Sequence, residues 1–250
     1  VGPTPGQAPG SDDEGPTVAP PDRVTAERRR RRPTKSGVVL SAEMILDKAL
    51  ELLDEHGAEA LTIRRLGAAL GADPSAVYRY YRGADDLLLA LGDRLIGEAL
   101  DAFRPDDHED WAEALREFGR CAYRAALRHP RVAVLSTHRV TRRPHEQRAV
   151  ETGIGLLRRA GFDDATAVRH YHAFIDTVLG HAALDAAVLR LPAGQRAGDA
   201  QAWSEAYAEL PAEDFPHLHA VRAHLPTMAG PAVEHVMDLL LAALRAQVPG

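Results

Sequence analysis

Leu61-Thr62-Ile63-Arg64-Arg65-Leu66-Gly67-Ala68-Ala69-Leu70-Gly71-Ala72-Asp73-Pro74-Ser75-Ala76-Val77-Tyr78-Arg79-Tyr80-Tyr81 decides the fold of this 250-residue chain. It reads as two short helices joined by a glycine turn. Thr62 can cap the first helix by accepting a hydrogen bond from a free backbone N–H of the first turn. Ile63, Leu66 and Leu70 recur at helical spacing and make one apolar stripe. Gly67 and Ala68 keep this helix slim where a second helix crosses it steeply. Gly71 ends it, because glycine takes the left-handed conformation at little steric cost. Asp73 and Pro74 restart a helix as its cap and its first helical residue. Val77 can then pack back against the first helix. A tight turn, a small crossing residue and an apolar anchor together make a helix-turn-helix.

In such a unit the second helix, from Pro74 to about Tyr81, is expected in the major groove of DNA. Ser75, Ala76, Arg79 and Tyr80 are the candidates for facing bases and phosphates. Ser and Arg can hydrogen-bond base edges, and an alanine methyl can touch a thymine methyl. Tyr78, Tyr80, Tyr81 and Arg82, with Thr62 and Arg64 at the helix start, are candidates for phosphate contacts, which position a protein without reading sequence. The competing reading is an ordinary helical hairpin with its aromatics in the core. The agreement of glycine, proline and aromatic positions favours the DNA reader.

Residues 41–91 resemble the DNA-binding domain of the TetR family of transcriptional regulators. The resemblance rests on an opening amphipathic helix ending in His56-Gly57, then Leu61-Thr62-Ile63-Arg64, Leu70-Gly71 and Ala76-Val77-Tyr78-Arg79-Tyr80-Tyr81. Asp85-Asp86-Leu87-Leu88 follows, where the family starts its long linking helix. The resemblance implies a homodimeric, all-helical regulator, usually a repressor released by a small molecule. The family usually clamps a phosphate with a lysine just before the linking helix. This chain has Ala84 there, and Arg82 is its nearest substitute. The remainder resembles, more loosely, the effector domain of the tetracycline-repressor branch, through Leu127-Arg128-His129-Pro130, Thr141-Arg142-Arg143-Pro144, Leu156-Leu157-Arg158-Arg159-Ala160-Gly161-Phe162 and the region of Gly180. That branch holds a metal-chelated drug through a histidine just before the Thr-Arg-Pro segment. Arg139 stands at that position with His138 beside it, so neither tetracycline nor magnesium carries over.

Composition agrees with an all-α fold. The chain is 45% apolar and only 5% aromatic, and no segment alternates as a half-buried strand does. A net charge of −6 argues against a protein that coats nucleic acid throughout. Between Arg23 and Arg82, however, twelve Lys/Arg stand against eight Asp/Glu, a local net of +4. A basic segment on a mildly acidic chain suits a DNA-binding end attached to a regulatory body. Cys121 is the only cysteine, which excludes an internal disulfide and fits a reducing cytoplasm. It reads as buried packing. No uninterrupted apolar run approaches the ~18–20 residues of a membrane span, and the Pro/Gly-rich, acidic N-terminus is unlike a signal peptide.

Three regions follow. Residues 1–36 are expected to be a disordered Pro/Gly-rich arm carrying Arg28-Arg29-Arg30-Arg31-Arg32, which could follow phosphates or enter a minor groove. Residues 37–104 hold the helix-turn-helix domain, opened by a helix capped by Ser41 and closed by a linking helix from about Ala84 to Phe103. Residues 105–250 form a helical effector-binding and dimerisation domain. Its helices are expected at about 109–128, 130–139, 144–160 and 163–190, with Val168, Tyr171, Ile175, Val178, Leu179, Ala182 and Ala183 inward on the last. Residues 191–200 read as a loop because of Pro192, Gly194 and Gly198. Short helices are expected around 201–209 and 212–224, and a final helix from Pro231. The stripe on that final helix is wide, and burying it suggests a dimer interface shared with 163–190.

The twelve histidines do not suggest a metal site. His170 and His172, like His217 and His219, are two apart and diverge on a helix, and no HExxH or cysteine-pair spacing occurs. His138, His170, Phe174, His181 and Trp203 are the candidates for lining an effector pocket as handles among apolar walls. Gly153-Ile154-Gly155 lacks the third glycine of a phosphate loop, and no serine sits in a nucleophile elbow. No catalytic residue, metal or cofactor is expected. The reading is therefore a ligand-responsive regulator, expected to be a repressor, binding a near-palindromic duplex operator as a homodimer and released by a small hydrophobic or aromatic effector. An activator of the same fold is the first alternative. A helical small-molecule-binding protein or enzyme without DNA binding is the second.

Overall fold

The computed structural model describes Gly2 and residues 39–249. The arginine run at 28–32 lies outside the described residues. Those residues contain helices and turns and no strand.

The head is built from four helices. α1 spans Ala42–His56, and Ser41 caps it by accepting the Met44 N–H at 3.1 Å. α2 spans Ile63–Ala69, with Thr62 Oγ1 accepting the Arg65 N–H at 3.2 Å. α3 spans Pro74–Tyr78, with Asp73 Oδ1 accepting the Ser75 N–H at 2.8 Å. α4 spans Ala84–Ala102. Gly71 sits at φ +62°, the left-handed region that a turn residue needs. At Gly67 a Cβ would lie 3.1 Å from the Ala72 carbonyl oxygen and 3.3 Å from the Pro74 nitrogen. The two helices therefore cross on bare backbone. Val77, fully buried, joins Ile45, Leu53, Leu66, Leu87 and Leu91 in the core of the head.

α3 is shorter than expected. It ends at Tyr78, and Tyr81 turns inward to 5% exposure, where its hydroxyl donates to the Ala42 carbonyl at 3.4 Å. Burial raises the Tyr81 phenol above its ordinary pKa.

The body follows as α5 (Trp111–Arg128), α6 (Pro130–Ser136), α7 (Pro144–Arg159), α8 (Asp164–Leu189), α9 (Ala193–Ala202), α10 (Pro216–Val221) and α11 (Val233–Arg245). Phe118, Leu156, Leu157, Phe174, Val178, Met237 and Leu241 form its core. Head and body are not cleanly separated. Val132 of α6 is fully buried in the head's own cluster, so α6 is a wedge between the two.

α8 differs in detail from the sequence reading. Its buried face is Ala167, Tyr171, Phe174, Val178, Ala182 and Ala186. Val168 is 51% exposed, and Ile175, Leu179 and Ala183 are half-buried. A helix that is apolar around most of its circumference gives periodicity no face to select. The choice is made by close approach, since Ala182 and Ala186 pack on Ala126 and Ala133. α8 also has the length and mean hydropathy, 1.2 over its best window, to cross a membrane by composition alone. Its apolar residues are interspersed with His and Asp, and it packs against α5, α6, α7 and α11.

The stretch after α8 also corrects the expectation. Residues 193–202 are helical, not a loop: Pro192 precedes the first turn, where no N–H is needed, and the Arg196 guanidinium caps the end of α8 by donating to the Leu189 carbonyl at 2.7 Å. The short helix expected at 201–209 is a set of turns in which Trp203 stacks on Tyr207, with centroids 4.5 Å apart. The helix expected at 212–224 is confined to α10 and runs on as 3-10 turns over Arg222–Ala229, which contain Pro226. The final helix starts at Val233.

Candidate nucleic-acid interface and effector cavity

The turn and caps leave one face of α2 and α3 open. Thr62, Arg64, Ser75, Tyr78 and Arg79 are exposed on it, Tyr78 at 56%. Ala76 and Tyr80 are half-buried against the core, and Arg82 is exposed beyond α3. Two expected DNA contacts are therefore held back. Tyr80 donates its hydroxyl to the Leu40 carbonyl at 2.6 Å, and Tyr81 lies in the core. Both tie the end of the reading helix to the chain entering α1. The available surface combines hydroxyls and guanidinium groups, which bind phosphate and base edges. The Arg82 backbone N–H donates to Asp86 Oδ2 at 2.8 Å, which fixes the link into α4.

A cavity of about 830 Å³ opens in the body, floored by Leu95, Ile96, Ala99 and Leu100 of α4 and walled by α5, α6, α7 and α8. Most of its lining is apolar, the usual make-up of a small-molecule site. α4 thus runs continuously from the head to the cavity. At Gly92 a Cβ would meet the Ser136 Cβ at 3.0 Å, so α4 and α6 touch tightly at the cavity's edge.

The segment 137–143 is a strap between α6 and α7, and its residues 137–141 line the cavity. Glu146, in the first turn of α7, reaches back and accepts the Thr141 N–H (3.0 Å) and the Arg142 N–H (2.7 Å). One carboxylate thus satisfies two N–H groups just ahead of α7, without the return bond of a capping box, since the N-cap residue Arg143 makes no side-chain cap bond. Arg142 has φ +59°, a conformation that costs of order 1–3 kcal/mol for a side chain other than glycine and that these two bonds hold. The buried Asp93 of α4 accepts from the Thr141 hydroxyl (3.3 Å) and the Glu146 N–H (3.0 Å) and contacts His145 Nδ1 (2.9 Å). Arg139 forms a double hydrogen bond with Asp85 (2.8 and 3.1 Å), and Arg143 holds Asp86 Oδ1 at 2.6 Å. The Arg139 hydrogen bonds hold the Asp85 carboxyl below the ordinary carboxylate range.

Of the expected effector residues, His138 lines the cavity, while His170, Phe174, His181 and Trp203 do not. His170 is packed edge-on against Phe162, centroids 4.8 Å apart, with Nε2 buried and unpartnered. Phe174 is 1% exposed in the body core. Trp203 is occupied by Tyr207. The residues missed are Tyr171, His172 and Asp176, one helical face on α8, together with Arg139. Burial pushes the Tyr171 phenol up to about 12. The Thr141-Arg142-Arg143-Pro144 motif marked the strap, but nothing local to it showed which helices close around the cavity. Among the described residues no three His, Cys, Asp or Glu side chains converge as a metal site.

The family model described as bacterial regulatory proteins, tetR family, matches residues 45–91, and that for the tetracyclin repressor-like C-terminal domain matches residues 104–248. This chain belongs to the TetR family of regulators. TetR relatives include the HTH-type transcriptional repressor Rv1353c of Mycobacterium tuberculosis, 29% identical over 65% of this chain. The chain spans 63% of that repressor's length. The class D tetracycline repressor protein of Escherichia coli is 33% identical over 49% of this chain and 56% of its own. The TetR family protein ActR of Streptomyces coelicolor, in complex with actinorhodin, superposes with a TM-score of 0.73 at 25% identity, covering 84% of this chain and 97% of ActR.

Proposed function

We propose that this chain is a ligand-responsive transcriptional repressor that binds a near-palindromic operator as a homodimer and leaves it when a small hydrophobic or aromatic effector enters the cavity. The observation that carries the reading is α4. One helix begins against the reading face through Arg82 and Asp86 and ends as the floor of an apolar cavity. A ligand there changes the head through a shared element, provided that it binds the two arrangements of α4 with different affinity. ActR, solved with actinorhodin and with (S)-DNPA, supports a ligand role for such a cavity.

The DNA role falls to Ser75, Tyr78 and Arg79, with Thr62, Arg64 and Arg82 on phosphates. The homodimer is supported by the apolar residues that α8 and α11 leave outward, Leu184, Val188, Leu189 and Leu239, at 44–61% exposure. A surface of that kind marks an association site. Two reading helices about one DNA turn (~34 Å) apart would then meet successive major grooves.

A mobility-shift titration tests the reading. Wild-type protein is expected to retain a specific duplex at moderate salt. Arg79→Ala is expected to weaken binding by roughly tenfold or more, the ~1–3 kcal/mol of a base or phosphate contact, while melting at the wild-type temperature. Equal binding by the variant, or no specific binding by folded wild-type protein, contradicts it.

A further inference from the structure

Arg139 has two neighbours at once. It lines the cavity, and its guanidinium holds both oxygens of Asp85 in the first turn of α4. Among the described residues it is the sole arginine or lysine of the lining. Of the other ionisable side chains there, His138 stands next to Arg139, and Glu146, His172 and Asp176 are committed elsewhere. Glu146 has both oxygens occupied by strap N–H groups, and His172 Nε2 is paired with Asp176 Oδ2 at 3.0 Å. Apolar residues such as Leu95, Phe118, Ala125 and Ile175 make up most of the remaining walls.

The Arg139–Asp85 pair is open to solvent, with side chains 36% and 67% exposed. Exposed pairs hold weakly because water screens them. A carboxylate that meets the same guanidinium among apolar walls is screened less, and Arg can grip it with two parallel bonds. We propose that the effector of this protein carries a carboxylate on an apolar, aromatic frame, and that Arg139 binds this carboxylate in exchange for Asp85. This rests on the cavity being the effector site. The exchange unties Arg139 from the first turn of α4, where Arg143–Asp86 remains, while Asp93 further along α4 still holds Thr141 and Glu146. Binding and the loss of that tie are then one event, which is the differential contact that coupling requires.

Calorimetric titration of the full chain with anthracene-2-carboxylate and with the neutral anthracene-2-carboxamide tests the proposal. Wild-type protein is expected to favour the carboxylate by about tenfold. Arg139→Gln is expected to bring the ratio of the two affinities to about one. Asp85→Asn, which removes the competing carboxylate, is expected to raise the ratio by up to about fivefold. A carboxamide that binds wild-type protein as tightly as the carboxylate, a preference that survives R139Q, or a ratio unmoved by D85N overturns the proposal while leaving the cavity as an effector site. Binding of neither compound up to about 1 mM overturns the proposal and the effector reading together.

Discussion

Gly67 fixes how the reading helix is presented. The atoms nearest its missing Cβ belong to backbone, at Ala72 and Pro74, and backbone cannot turn aside as a flexible side chain does. Gly67→Val is expected to destabilise the protein by about 1–3 kcal/mol through overpacking, seen as a lower melting temperature and weaker DNA binding together. An unchanged melting temperature would contradict the crossing geometry. This residue was legible in the sequence, as were the caps Ser41, Thr62 and Asp73, because each acts within three residues of itself. Tyr81 was not. Its place between surface and core depends on the chain at Ala42, about forty positions earlier. Val132 was hidden for the same reason: its sequence neighbours belong to the body, while its packing partners belong to the head.

The elements divide by how strongly their patterns choose a face. α1 and α4 have one apolar side, and their limits follow from the sequence. α8 is apolar on several sides, so its buried face is set by the alanines that allow close packing, and the residues on the cavity side follow from that rotation. The same element-level geometry docks α11. Its Glu234 accepts from Arg120 Nε (2.9 Å) and Nη2 (2.7 Å), Asp238 pairs with Arg116, and Arg245 pairs with Asp110. Hydrogen bonding to Arg120 lowers the Glu234 pKa from 4.5. A carboxylate whose pKa is lowered on folding contributes stability that is fully present above the unfolded value and is lost as pH falls through the folded one. Glu234→Gln is therefore expected to cost at most about 1 kcal/mol at neutral pH, because the pair is half exposed. That difference from wild type is expected to shrink below about pH 4. Melting curves of both proteins across that range check it, and a gap that widens in acid would contradict the assignment.

At the scale of the whole molecule, α4 and the wedge of α6 join head and cavity, while the exposed apolar residues of α8 and α11 are the surface on which the proposed homodimer would form. Leu184, 61% exposed on α8, is the direct probe of that surface. Leu184→Glu is expected to shift the chain to a monomer in analytical ultracentrifugation, with secondary structure retained. A dimer that persists would place the interface elsewhere. A monomer presents one reading helix and loses the gain of binding two half-sites together. Selection of duplex DNA from a random pool by the wild-type protein, followed by anisotropy titration of the winning and scrambled duplexes at physiological salt, decides whether this chain is an operator-binding dimer. An operator-binding dimer is expected to enrich a near-palindrome with half-sites about one helical turn apart, bound with a Kd of about 10⁻⁸ M or tighter and at least about 10³-fold above the scrambled duplex. A pool that converges on no sequence, or equal affinity for both duplexes, would contradict it.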